Sequence, residues 1–181
     1  MRIVFFLFIL SLFFPVVAIC AEKSPQESRP ALVDGGDFDC LPVHNFGLAG
    51  LRLWQPESSI TGKLGAPLQV TKSTGEDDGG SYVLTIYHYR DLRVEAVRDQ
   101  IDRITTESAA MPMPSGIRVG DSQAEVIRKF GRKPRDLEED DRELQIVTCP
   151  QNGKWIQEDY VILTFDAGQR LLSIAYEANR P

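Results

Sequence analysis

Two stretches of this chain align without gaps at an offset of 66 residues, and this repetition constrains the fold more than any other feature. The first stretch covers residues 50–65 and the second covers residues 116–131. The identical pairs are Gly50/Gly116, Arg52/Arg118, Lys63/Lys129 and Gly65/Gly131. Self-similarity at a fixed offset is typical of a supersecondary unit that occurs more than once. We therefore predict that the chain contains a duplicated unit.

The second stretch predicts a short extended piece that leads into a capped helix. Ser122 and Glu125 have the spacing of a capping box, in which each side chain accepts a hydrogen bond from the other residue's backbone N–H. Apolar residues at helical spacing follow, and they give the helix one hydrophobic face. Gly131 stands where a helix end favours a left-handed residue, and Pro134 prevents the helix from continuing.

Runs of β-branched and aromatic residues follow each predicted helix and indicate strands. These strands are expected at 82–89, 93–97, 101–106, 144–148, 160–165 and 170–176. The fold class is then α+β, with two tandem helix-plus-antiparallel-sheet units that form one curved sheet with short helices on one face. The predicted boundaries are 46–108 for the first unit, 109–114 for a proline-containing linker and 115–181 for the second unit.

The segment from Gly120 to Pro134 resembles the opening of BamE-like (SmpA/OmlA) domains. Those domains begin with a glycine, a capped helix and a Phe-Gly exit before a proline, and an antiparallel sheet follows. In tandem, the unit is similar to the architecture of beta-lactamase inhibitory protein, in which two copies form one curved sheet. Trp54 departs from the pattern, since the first copy needs a glycine there. The resemblance implies a cell-envelope binding or assembly module, and it carries no catalytic residue.

The first twenty residues predict an export signal. Arg2 precedes a long apolar run, and Ala18 and Cys20 are small residues suited to cleavage after position 20. Residues 21–45 then form a flexible N-terminal segment. Two alternatives are a short uncleaved anchor and a lipobox with acylated Cys20, from which Ile19 departs. The protein is expected to be periplasmic or secreted, or a membrane-tethered lipoprotein if Cys20 is lipidated.

Cleavage or acylation at Cys20 leaves two cysteines, Cys40 and Cys149. An even number of cysteines in an exported chain favours one disulfide. The competing interpretation is a tetrahedral zinc site in which His44 and His88 complete the ligand set. The spacing of these four residues is poor for zinc, so the disulfide is favoured, and neither a metal nor another cofactor is predicted.

The charge balance excludes one large class of partners. The formal net charge is −6 and the isoelectric point is about 5.0, so the chain lacks the surplus of lysine and arginine that nucleic-acid binding needs. Hydrophobic residues make up 43% of the chain, enough for an ordinary core. Nucleophile-elbow, HExxH and phosphate-loop motifs are all absent from the sequence.

Aromatic side chains predict a binding surface on the sheet. If Leu84 and Ile86 face the helices, a period of two turns Tyr87 and Tyr89 to the other side, where Tyr160 is also expected. An aromatic-rich open face suits a protein partner, and the candidate binding residues are Tyr87, Tyr89, Tyr160, Trp54 and Trp155. The same periodicity is equally consistent with a different arrangement, in which these aromatic side chains pack against a second layer or against the N-terminal segment.

Acidic runs at 76–78 and 138–141 add loop charge that can steer a basic partner. These features together predict an exported, non-enzymatic protein-binding module of the bacterial cell envelope, with an envelope or secreted protein as its partner. Three alternatives stay open. They are a lipidated outer-membrane assembly or scaffold protein, an inhibitor of a secreted enzyme, and an enzyme or metal protein that uses His44 and His88.

Overall fold

The computed structural model describes residues 32–34, 39–42, 47–77, 79–137, 142–149 and 159–180. The predicted signal segment therefore lies outside the described residues. In chain order the elements are β1 (Val33–Asp34), β2 (Asp39–Leu41), α1 (Ser58–Leu64), β3 (Gln69–Asp77), β4 (Gly80–His88), β5 (Arg93–Val97), β6 (Gln100–Thr106), α2 (Gln123–Phe130), β7 (Glu143–Thr148), β8 (Tyr160–Phe165) and β9 (Leu171–Glu177).

All of these strands belong to one sheet in the order β1-β2-β7-β8-β9-β6-β5-β4-β3. Strand β2 pairs in parallel with β7, whereas the other pairs are antiparallel, so the sheet is mixed. The two halves of the chain are joined where β6 pairs with β9, for example at Ile104 and Tyr176. Backbone hydrogen bonding thus continues from one half of the sheet into the other.

The prediction of two tandem helix-plus-sheet units is wrong. The described chain is mostly one continuous sheet, and its two helices have only seven and eight residues. Helix α1 buries one side chain, Ile60, and helix α2 buries two, Val126 and Phe130. Helices that bury so little apolar surface cannot anchor separate units, since stability follows the area removed from water. The sheet supplies most of the regular structure.

Hydrogen bonds do recur locally at the offset of 66 residues. Lys63 Nζ donates to the carbonyl oxygen of Gly50 at 2.5 Å, and Lys129 Nζ donates to that of Gly116 at 2.8 Å. In the loop before each helix, Trp54 N donates to Ile101 O and Gly120 N donates to Leu171 O. These bonds tie the start of each loop both to its own helix and to the sheet.

Helix α2 has the predicted capping box. Glu125 N donates to Ser122 Oγ at 3.3 Å, and Ser122 N donates to Glu125 Oε2 at 2.7 Å. Gly131 ends the helix in the left-handed region with φ 86°, as helix ends favour. Helix α1 has no side-chain cap, so it depends more heavily on its contact with the sheet.

The hydrophobic core lies between the two helices and one face of the sheet, which we call the helix-side face. Ile60, Val126 and Phe130 meet strand residues in that core, among them Val94 and Leu163. The opposite face is called the outer face. No helix within the described residues is long and apolar enough to cross a membrane.

Cys40 and Cys149 form a disulfide across 109 positions, which confirms the predicted pairing. The bond holds β2 beside β7, although β2 comes from the segment that was expected to be flexible. An ion pair between Asp39 and Arg132 and a hydrogen bond from Arg135 N to Asp39 Oδ2 at 2.6 Å add further attachments. The N-terminal part of the fold is therefore fixed to the sheet both covalently and by charge.

Candidate functional site

The outer face presents two rows of side chains that run across six adjacent strands, from β4 to β7. The first outer row consists of His88, Arg93, Thr105, Ala175, Ile162 and Gln145. The second outer row consists of Ile86, Glu95, Arg103, Glu177, Tyr160 and Val147. In the first row Ala175 and Thr105 are buried, whereas every side chain of the second row is half-buried.

Charges of alternating sign occupy the middle of the second outer row. Arg103 stands between Glu95 and Glu177, and its Nη1 lies 2.9 Å from Glu177 Oε2. Arg93 Nη2 lies 3.2 Å from Glu95 Oε1. Such partly exposed pairs contribute at most about 1 kcal/mol each. Their main effect is to order the charges in a fixed pattern.

Apolar side chains flank this charged centre on both sides. Ile86 lies on one side, and Ile162, Tyr160 and Val147 lie on the other. A surface that combines ordered charges with aliphatic and aromatic area has the composition of a non-obligate protein interface. The outer face is thus chemically suited to a protein partner.

Strand β6 also holds two buried polar atoms that have no hydrogen-bond partner among the described residues, Thr105 Oγ1 and Arg103 Nε. An unsatisfied buried polar group costs about 1–3 kcal/mol. Thr105 lines a cavity of about 230 Å³ together with His88 and Arg93. The centre of the outer face therefore has unused hydrogen-bonding capacity.

Tyr160 lies on the outer face, as expected, whereas the expectation that Tyr87 and Tyr89 lie on that face is wrong. Tyr87 Oη donates to Glu57 Oε1 at 2.5 Å, and Tyr89 Oη donates to Gly65 O at 3.0 Å, so both rings lie beside helix α1. These bonds give each hydroxyl a partner at a helix end while the rings pack on the core, as amphipathic aromatics favour. Ile86 consequently points to the outer face.

The environment of the two tyrosines favours the protonated form of both hydroxyls. Burial raises the pKa of Tyr87 to about 12, and the hydrogen bond to the Glu57 carboxylate acts in the same direction. Burial also raises the pKa of Tyr89. Both groups stay protonated at neutral pH, so they act as hydrogen-bond donors that fix α1 to the sheet.

Trp54 belongs to a polar cluster rather than to an exposed binding patch. Its Nε1 donates to Asp159 Oδ1 at 2.9 Å, and the Arg180 guanidinium lies 4.9 Å from the ring centroid. Arg180 also pairs with Asp102. Burial raises the pKa of Asp159, although hydrogen bonds from Trp54 and the Asn179 backbone act against that shift. The cluster joins residues that are about a hundred positions apart in the chain.

Trp155 and His44 lie outside the described residues, as does the acidic run 138–141. In the other acidic run, Asp77 Oδ1 lies 2.5 Å from Arg98 Nη2, and this hydrogen bond is the largest influence lowering the pKa of Asp77. The described residues include no group of three histidine, cysteine, aspartate or glutamate side chains that could hold a metal ion. Because Cys40 and Cys149 are paired, they cannot serve as zinc ligands.

No protein-family model matches this chain, and no curated protein matches it. Two solved structures are similar to it at 12% identity. An extracellular protein containing an SCP domain from Bacillus anthracis has a TM-score of 0.45 over 70% of this chain, which spans only 44% of that protein. The uncharacterized Escherichia coli protein YfeY has a TM-score of 0.44 over 74% of this chain and 97% of its own. Likenesses this distant carry no argument, and the resemblance to BamE-like domains stays a prediction.

The disulfide between Cys40 and Cys149 is compatible with a secreted or periplasmic protein.

Proposed function

We propose that this chain is an exported protein of the bacterial cell envelope that binds another envelope or secreted protein through its outer sheet face and acts without catalysis. The observation that carries this proposal is the pair of outer rows, which cross six strands on the face opposite the helices and whose second row is half-buried throughout. The binding residues would centre on Arg103, Tyr160 and Ile162.

The chemistry of the two faces supports binding over catalysis. Two of the titratable groups with raised pKa values, Tyr87 and Asp159, are engaged in hydrogen bonds with Glu57 and Trp54. The outer face instead offers ordered charges beside aliphatic area. A partner that brings complementary charges would be oriented by the Glu95, Arg103 and Glu177 pattern.

Site-specific photocrosslinking in the native host tests the proposal. A benzophenone amino acid at Ile162 on the outer face should give one discrete adduct with a second protein. The same amino acid at Ala124, which is exposed on helix α2, serves as the control and should give none. Equal adducts from both positions, or no adduct from Ile162, would contradict the proposal.

The protein identified in this way is then purified and its affinity is measured. Ile162→Lys should weaken binding about tenfold or more, as expected for a residue near the centre of an interface. Ala124→Lys should leave the affinity unchanged. Thermal melting of both variants shows that the fold is retained. Unchanged binding by a folded Ile162→Lys variant would place the interface elsewhere.

A further inference from the structure

The sheet ends on one side in a long free strand. Within the part of the chain that the structure describes, strand β3 (Gln69–Asp77) is last in the strand order and pairs only with β4, through nine residue pairs without a register shift. Among the described residues the opposite end of the sheet is the two-residue strand β1. An edge strand leaves alternate backbone N–H and C=O groups without a strand partner, and these form a template for another strand. The β3 sequence has no proline that would interrupt such pairing.

Exposed hydrophobic side chains collect at this same edge. Of the large hydrophobic residues exposed in the described part of the chain, Leu68, Val70 and Val83 lie on or beside β3. Leu68 is 76% exposed, Val83 is 48% exposed and Val70 is 43% exposed. Val83 is opposite Thr74 in the β3–β4 ladder, and Val70 lies on the same face of the sheet. The edge therefore combines unpaired backbone with apolar area.

Strand β3 carries two charges of opposite sign, which would attract each other if the β3 strands of two copies paired antiparallel. Lys72 and Glu76 are both exposed, share one face and are separated by four positions. In an antiparallel pairing of two copies centred on Thr74, Lys72 of each copy lies opposite Glu76 of the other. Pairings centred on Lys72 or on Glu76 would instead place like charges opposite each other, which is destabilising.

We propose that a second copy of this chain pairs antiparallel with β3, centred on Thr74, and extends the sheet across a two-fold axis. Such an interface is closed, because both copies use the same strand and neither β3 edge is left without a partner. The face with the exposed valines would then continue from Val83 through both Thr74 residues to the Val83 of the second copy. The outer face stays available to another protein, so the proposed function does not depend on this dimer.

Cysteine crosslinking tests the register. Directly opposite residues of antiparallel strands have Cα atoms about 4.5–5.5 Å apart, which is within reach of a disulfide. Thr74→Cys should therefore form a covalent dimer under mild oxidation. Val70→Cys is the matched control, since the two cysteines would lie eight positions apart along the strands and could not meet. The wild-type chain gives the background. Crosslinking by Val70→Cys and not by Thr74→Cys would overturn the proposed register.

Charge exchange tests the pairing itself. Sedimentation equilibrium of the wild-type chain should show a reversible dimer. Lys72→Glu and Glu76→Lys should each weaken that dimer about tenfold or more, because two attractive pairs become two repulsive ones. The double variant Lys72→Glu/Glu76→Lys should recover wild-type dimerisation, and Lys133→Glu, an exposed charge reversal after helix α2, should have no effect.

Melting temperatures check that each variant is folded. A wild-type chain that stays monomeric up to its solubility limit would overturn the proposal. So would a double variant as weak as either single variant. A monomeric chain that instead forms a one-to-one complex through β3 with a different protein would assign the edge to a heterologous strand and would also refute self-pairing.

Discussion

Replacing Lys129 by alanine should cost much more stability than replacing Lys63 by alanine, although the two lysines occupy corresponding positions at the ends of their helices. Lys129 Nζ lies 2.5 Å from Asp121 Oδ2, and the two side chains are 15% and 10% exposed. Lys63 Nζ donates to the neutral Gln55 Oε1 at 3.0 Å, and that bond is exposed. Each lysine also donates to a glycine carbonyl, so the contrast isolates the charged and buried pair.

The magnitudes follow from what each variant leaves behind. Lys129→Ala leaves the Asp121 carboxylate buried and retains the hydrogen bond from Arg118 N at 2.8 Å. Breaking a buried pair costs about 3–5 kcal/mol, and the retained hydrogen bond and residual exposure lower our expectation to about 2–3 kcal/mol. Lys63→Ala loses exposed, largely neutral hydrogen bonds, which are worth about 0.5–1 kcal/mol together.

Urea unfolding with the disulfide intact measures both costs. In thermal unfolding of the same variants, the expected decreases in melting temperature are about 5–10 °C for Lys129→Ala and about 1–3 °C for Lys63→Ala. A double-mutant cycle of Lys129→Ala with Asp121→Ala should give a coupling energy above about 1 kcal/mol. Equal costs for the two lysine variants, or a coupling energy near zero, would refute the argument that burial of the charged pair decides the difference.

Three further predictions concern the disulfide, the polar cluster and the helix cap. Cys149→Ala should lower the free energy of unfolding by up to about 4–5 kcal/mol, as for a loop of this length; reduction of the wild-type chain should reproduce that loss in a urea titration. The raised pKa of Asp159 means that its ionisation opposes folding, so its contribution to stability falls as the pH rises above the ordinary value of 3.8; Trp54 fluorescence should follow this titration, and Asp159→Asn should abolish it. Ser122→Ala should cost about 1 kcal/mol by removing the capping box; an unchanged urea midpoint would show that the cap is not stabilising.

The features that could be predicted are those fixed by neighbours in the sequence. The capping box needs only Ser122 and Glu125, and the left-handed helix end needs only Gly131. The pairing of Cys40 with Cys149 followed from their number once export was assumed. In each case the physical requirement is local or is settled by counting, so no knowledge of the packing was needed.

The face of β4 could not be predicted, because a period of two defines two sets of side chains without showing which set lies inward. Helix α1 determines which set lies inward, because Glu57 and the Gly65 carbonyl at its two ends accept hydrogen bonds from the hydroxyls of Tyr87 and Tyr89. Strand β3 was missed for a related reason. An edge strand that is exposed on most of its length carries polar residues on both faces, so Gln69–Asp77 shows no apolar alternation.

Trp54 departs from the pattern shared by residues 50–65 and 116–131, and its contacts nevertheless stabilise the fold. It stands where the second stretch has Gly120, and both residues have positive φ, 65° and 91°. A tryptophan in that region is strained by about 1–2 kcal/mol. The indole is held there by its hydrogen bond to Asp159 and by the stacked Arg180 guanidinium, which itself pairs with Asp102. Asp159 directly precedes β8 and Arg180 follows β9, so these contacts attach the first loop to residues that are distant in the sequence. The departure from glycine therefore adds side-chain contacts between the two halves of the sheet to the backbone pairing of β6 with β9.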